Sequence, residues 1–314
     1  MVENQDASLE VLTLCCHPAL TPESQVTLAL RTVLGLTTKQ IAAVHIIPSS
    51  TAGQRISRAK AAIDLHRRRF PPPASPKERL PALMHALYLM YTAGHSRADG
   101  KQLLDAAVTT EAIRLARLLY KGFRDEPETA GLLALMLLSE ARRPARITVR
   151  GDLIPLRDQD RSLWDREVIA EGIDLIEHAL PTGPVGAYQL QAAISAVHAE
   201  APGWEDTDWE QIAELYAMLA HVAPSPAVTL NYAVAVSETQ GPVSALSMVE
   251  PLLDDPRMSG SHRLHAVRAP LLEACGRRED ALEAFRTASR LCTNIPEQRF
   301  LNSQITRVQA DAIE

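Results

Sequence analysis

Aromatic residues make up only 4% of the 314 positions, so the 46% hydrophobic content rests mainly on Ala, Leu, Ile and Val. Alanine and leucine are the strongest helix formers, and this bias predicts an all-α protein. Cysteine is scarce: Cys15 and Cys16 are adjacent, while Cys275 and Cys292 lie far away. That spacing excludes a disulfide framework and a Cys-x-x-Cys metal site. Cys15-Cys16-His17 resembles half a metal site only superficially, because neighbouring side chains on a helix point apart. Small, buried, apolar cysteines are expected instead, in a reducing cytoplasm. No apolar run approaches the ~20 residues that cross a bilayer. The opening residues Met1-Val2-Glu3-Asn4-Gln5-Asp6 are polar and acidic, unlike a secretory signal. Excess positive charge is also lacking: the net charge is −6 and the pI about 6.0, so any nucleic-acid surface must be local. Walker-type loops, Gly-x-Ser-x-Gly and His-Glu-x-x-His are all absent, and no enzymatic activity, cofactor or metal is expected.

Proline and glycine divide the remainder into three zones. Residues 1–69 hold short helices and end in a basic cluster. Phe70-Pro71-Pro72-Pro73-Ala74-Ser75-Pro76 then excludes helix. Residues 77–180 read as a helical domain, with its clearest helices at Leu83–Ala93, Ala106–Tyr120, Glu128–Ala141 and Ser162–Leu180. Within it, Arg146 to Leu156 alternates apolar and polar residues around Gly151-Asp152 and predicts one small β-hairpin. Residues 181–314 alternate helices of about a dozen residues with Gly/Pro turns. Gly241, Ala245, Leu246 and Val249 parallel Gly276, Ala281, Leu282 and Phe285. Ala245 and Ala281 are 36 residues apart, near the ~34-residue period of tetratricopeptide repeats. The expectation is a stack of helix pairs resembling that motif, with a generic bundle as the alternative.

The most informative stretch is Leu36–Lys60. Thr37 and Gln40 have capping-box spacing and predict a short helix carrying Ile41 and Ala42 inside. Ala42 is small where a following helix crosses. Pro48 ends the turn, and Ser49 or Ser50 is placed to cap the next helix. There Ala52, Ile56, Ala59 and Ile63 form a single apolar stripe. Ser50, Thr51, Gln54, Arg55 and Arg58 are left outside it. From Arg55 to Arg69 the cations Arg55, Arg58, Lys60, Arg67, Arg68 and Arg69 are opposed only by Asp64. A polar-tipped helix with a basic flank suits the major groove and its phosphates. An ordinary two-helix corner with a basic solvated face would produce the same pattern.

Gly35-Leu36-Thr37-Thr38-Lys39-Gln40-Ile41-Ala42, then Pro48, then Gln54-Arg55-Ile56-Ser57-Arg58-Ala59-Lys60, resembles region 4 of extracytoplasmic-function sigma factors. Together with Cys15-Cys16-His17-Pro18-Ala19-Leu20, the chain is similar to the group with a long helical extension, often encoded beside small YCII-like proteins. Matches continue through Glu111–Leu119, Gly131–Leu138, Asp158–Asp165, Tyr188–Ala193 and Asp206–Trp209, over nearly the whole chain. The resemblance implies a helix-turn-helix that reads a −35-type promoter element and touches the flap of RNA polymerase. It also implies a regulatory extension that takes a protein partner or a small ligand. Ser50, Thr51, Gln54 and Arg55 are then candidates for base readout. Arg58, Lys60, Arg67, Arg68 and Arg69 are candidates for phosphate contact. Members of the group begin with region 2, which melts the −10 element. The present sequence starts just before region 4, so promoter opening by this chain alone is not expected. Gly53 in the recognition helix costs roughly 1 kcal/mol relative to Ala, and Ala61 and Ala62 stand where basic residues are frequent in the group.

Other residues invite chemistry. Asp158, Asp160, Arg161, Trp164 and Asp165 could form an acid/base set, but their spacing equally suits helix N-termini, with Trp164 packed inward. His262 and His265 share a helix face without an acidic ligand nearby in sequence. His198 and Glu200 precede Pro202 and read as structural. Two rival functions follow: a helical interaction scaffold carrying a relic helix-turn-helix, and a ligand-sensing or enzymatic middle domain.

Overall fold

The computed structural model of the chain describes residues 7–17, 20–33, 35–45, 47–66, 76–97 and 100–310. It is 75% helical, and the described residues form no sheet or barrel. The first helices are α1 (Ala7–Cys15), α2 (Pro22–Thr32), α3 (Thr38–His45) and α4 (Ser49–His66). Next come α5 (Leu80–His95), α6 (Ala106–Gly122), α7 (Pro127–Ala141) and α8 (Arg166–Ala179). The remainder comprises α9 (Ala187–Glu200), α10 (Trp209–Val222), α11 (Pro226–Gln240), α12 (Pro242–Val249), α13 (His262–Ala274), α14 (Arg278–Leu291) and α15 (Ile295–Ala310). Among the described residues, no helix is long and apolar enough to cross a membrane.

Short polar side chains start many of these helices. Thr21, Asp105, Asp165, Asp208 and Ser225 accept backbone N–H groups at the starts of α2, α6, α8, α10 and α11. Each satisfies a donor that the helix itself cannot pair. The helix expected at Ser162–Leu180 begins later, at Arg166, because Arg161–Leu163 forms a separate 3-10 turn and Asp165 takes the cap.

The N-terminal helices do not own a private core. Leu12, Leu30, Ile41 and Ala52 belong to one buried cluster with Leu87, Leu115, Leu132 and Met136. The break at 70–76 therefore separates segments of chain whose side chains share one interior. Arg79, itself buried, adds a tie by donating through Nη1 to the Thr13 carbonyl at 3.1 Å.

Helix α7 is apolar on nearly every side, and α8 and α9 pack along it. Two glycines permit that approach. A Cβ on Gly131 would lie 2.6 Å from the Gln189 backbone nitrogen, and one on Gly172 would lie 2.7 Å from Leu138 Cγ. The Glu128 carboxylate of α7 accepts the backbone N–H groups of Tyr188 (3.1 Å) and Gln189 (2.9 Å), capping α9 from outside. Burial raises the pKa of Glu128 and these backbone donors partly offset the rise.

The expected hairpin shrinks to a tight turn. Ile147 and Leu153 form a lone antiparallel bridge, with Thr148 donating to Asp152 at 2.9 Å and Gly151 at φ 79°. The Ile154 N–H also donates across the turn to Arg146 O at 2.9 Å, and Pro155, which has no N–H, follows directly. Beyond α10 the chain folds into helical hairpins, α11 with α12 and α13 with α14. Ala245, Val249, Ala281 and Ala288 are fully buried between them, with Phe285 3% exposed. The end of the chain then returns to α5. Asn294 donates through Nδ2 to the carbonyls of Arg97 (3.0 Å) and Gln102 (3.1 Å), and the Ile295 N–H donates to Gly100 O at 2.9 Å.

Candidate nucleic-acid interface

The turn between α3 and α4 is built by local chemistry. The Thr37 N–H donates to Gln40 Oε1 at 2.8 Å and the Gln40 N–H to Thr37 Oγ1 at 3.3 Å, completing the capping box. Ile41 and Ala42 are buried. The Ile47 N–H reaches back to Ala42 O at 3.0 Å, closing the turn. Helix α4 starts at Ser49, and the Ala52 N–H donates to Pro48 O at 3.1 Å. Pro48 therefore holds the N-cap position. Ser49 and Ser50 lie in the first turn rather than capping it, and both stay exposed.

Along α4 the predicted stripe is present: Ala52 is 0%, Ile56 8% and Ala59 1% exposed, with Ile63 packed beside them. Opposite, Ser50, Gln54, Ser57 and Ala61 recur at four- and three-residue steps and are exposed. Arg58 and Lys60 flank that outward face on its two sides, also exposed. Thr51 and Arg55 lie closer to the stripe and are half-buried. Gln54 thus occupies the middle of the presented surface and Arg55 its edge. Ser57 was not among the sequence candidates, although it lies one turn beyond Gln54. Arg67, Arg68 and Arg69 lie outside the described residues.

Arg55, Arg58 and Lys60 pair with no carboxylate among the described residues. Elsewhere arginines find acids readily: Arg114 with Glu111, Arg268 with Glu250, and Arg307 with Glu273. Arg58 and Lys60 thus flank the outward face of this helix with no carboxylate paired to them among the described residues.

In the acidic cluster at 158–165, two carboxylates cap the turns that follow them. Asp160 accepts from the Ser162 N–H at 2.9 Å, and Asp165 accepts from Glu167 and Val168, both at 3.1 Å. Trp164 is buried beneath the Arg161 guanidinium, whose carbon stands 5.0 Å from the ring centroid. Arg161 itself donates to the carbonyls of His198 and Ala201, both at 2.7 Å. Cys15 and Cys16 are buried and free, and burial pushes the Cys16 thiol up to about 12, as befits packing residues.

A cleft of about 1140 Å³ opens beside the helix-turn-helix. Lys39, Pro48 and Ser49 form one side, the end of α5 another, and the loop before α13 with Glu297 a third. On this last wall His262 meets residues from the end of the chain. His262 Nε2 lies 2.9 Å from Glu297 Oε2, and Cys292 Sγ lies 3.7 Å from the same oxygen. No ligand set was legible around His262 in the sequence, because its neighbours come from the α14–α15 junction.

The geometry defines a helix-turn-helix packed into an extended set of helices. Residues 11–63 match Sigma-70, region 4, and residues 79–180 match a family of unknown function, DUF6596. The first match makes the N-terminal unit a sigma-70 region 4 domain. An uncharacterised protein of Rhizobium meliloti (strain 1021) is 42% identical over 309 residues, covering 98% of this chain and 73% of that protein. The chain belongs to one family with it. No solved structure matches.

Proposed function

We propose that this protein acts in transcription initiation as an extracytoplasmic-function type sigma factor, through region 4. The cations on α4 that pair with no carboxylate among the described residues, set beside an exposed Gln54 and Ser50 on a region 4 helix-turn-helix, carry the reading. In it, α4 enters the major groove of a −35-type element in the bacterial cytoplasm, and the same domain touches the RNA polymerase flap. Ser50, Thr51, Gln54 and Arg55 read base edges, while Arg58 and Lys60 hold phosphates. Arg67, Arg68 and Arg69 extend the phosphate track. No enzymatic step is required. The tetratricopeptide-like helix pairs serve as a regulatory surface for a protein partner or small ligand, and the cleft beside Pro48 and Ser49 would let its occupancy reach the reading head.

Base readers and phosphate holders separate in a binding experiment. Gln54→Ala and Arg55→Ala should each cost about 1–3 kcal/mol on cognate promoter DNA and much less on scrambled duplex. Arg58→Ala should weaken both alike. Fluorescence anisotropy on the two duplexes measures this, and equal losses for Gln54→Ala and Arg55→Ala on both would remove them from base readout.

A further inference from the structure

Three ligand types converge where the end of the chain returns to α5. His262 stands at the first position of α13, Cys292 just beyond α14, and Glu297 in the first turn of α15. Their donor atoms all lie within 4.8 Å of one another. Tetrahedral zinc, with bonds of about 2.0–2.3 Å, needs its donors roughly 3.3–3.7 Å apart. The pair at 2.9 Å and the pair at 3.7 Å bracket that spacing, and the third pair, His262 with Cys292, lies within 4.8 Å.

The surroundings hold these ligands in place. Asn294, 1% exposed, spends both Nδ2 hydrogens on Arg97 O and Gln102 O, and its Oδ1 accepts the Glu297 N–H at 3.2 Å. Ser96 donates to the other carboxylate oxygen, Glu297 Oε1, at 3.3 Å, an outer contact of the kind that orients metal-bound carboxylates. Arg263 hydrogen-bonds Ser96 Oγ, and its positive charge, with that of Arg146 on the same cleft, opposes a cation.

We propose that His262, Cys292 and Glu297 bind a zinc-class divalent transition-metal ion whose fourth position opens to the cleft. A thiolate and a carboxylate together balance a divalent charge, and the neutral imidazole coordinates through Nε2. The mixed sulfur, nitrogen and oxygen set favours zinc or cobalt over magnesium or calcium. On binding, the Cys292 thiol releases its proton to solvent, and the hydrogen shared by His262 Nε2 and Glu297 passes to His262 Nδ1 by tautomeric exchange, which frees Nε2 for the ion. His262 and Glu297 line the cleft, which supplies the path of entry.

The test is titration of the reduced full-length chain with Co²⁺, followed by competition with Zn²⁺ and with Mg²⁺. One equivalent should bind with a thiolate-to-cobalt charge-transfer band, displaced by Zn²⁺ and untouched by Mg²⁺. Cys292→Ser should abolish the band and weaken binding roughly 100-fold or more, beyond the usual outer-contact effect, while Ser96→Ala should cost about 10- to 100-fold. Cys275→Ser, away from the site, should change nothing. Circular dichroism checks the fold of each variant. If Cys292→Ser unfolds, the half-buried His262→Ala replaces it, with the same loss of affinity expected. Absence of the band in the native chain, or its survival in folded Cys292→Ser or His262→Ala, overturns the proposal and leaves a hydrogen-bonded structural tie.

Discussion

At the scale of single residues, the reading head was legible because its signals are local. A Thr-x-x-Gln box, a proline and an apolar stripe each act within a few positions, so pattern alone placed α3 and α4. Which side chain stands at the centre of the presented face was less legible, since it depends on the rotation of α4 against α2 and α3. Arg55 is exposed by pattern but half-buried in the fold. Gly53 bears on the same helix. A Cβ there would meet only Thr38 Cγ2, at the ordinary distance of 3.7 Å. Gly53→Ala should therefore raise stability by about 1 kcal/mol through helix propensity. Denaturant melts measure this, and a destabilised variant would show that the space beside α4 is needed. The three ligands around His262 escaped detection because contacts across the ends of α13, α14 and α15 leave no periodicity in sequence.

At the scale of elements, helix positions followed from composition and caps, whereas their starts shifted with whichever side chain won the cap. The paired alanines 245 and 281 were placed correctly as buried crossing points, because a small residue at a close helix approach is a packing requirement. Arg278 shows the opposite: polar pattern makes it a solvent residue, yet it is half-buried and donates to the Val308 carbonyl of α15. Ala281→Leu inserts a large side chain where α14 leaves no space and should cost roughly 1–3 kcal/mol. Glu279→Leu, on the exposed side of the same helix, should be nearly neutral. Equal melting temperatures for Ala281→Leu and the native chain would contradict the packing of these hairpins.

For the whole molecule, the shared interior of α1–α4 and α5–α7 makes the reading head part of a larger cooperative body. Proline content marks where a chain bends but says nothing of which side chains meet afterwards, so this continuity was hidden from the sequence. The interior also couples to pH. Burial, followed by the charges of Arg142 and Arg161, lowers the His198 pKa to about 3. In the unfolded chain the same ring titrates near 6.5. Between those values the unfolded chain holds a proton that the folded one refuses. The stability linked to His198 is therefore complete above about pH 6.5 and falls with pH toward about 3, by up to about 1.4 kcal/mol per pH unit. His198→Phe should remove that part of the acid sensitivity, and denaturant melts at several pH values compare the two slopes. Identical slopes would contradict a neutral, half-buried His198.

The central claim is that α4 carries DNA contact on the surface of an acidic protein. Equilibrium binding of the full-length chain to promoter duplex, followed across a salt series, tests it most directly. The account predicts that log affinity falls linearly with log salt, and that Arg58→Ala makes the slope shallower by about 1. Affinity that does not change with salt, or no binding at low ionic strength, would contradict it.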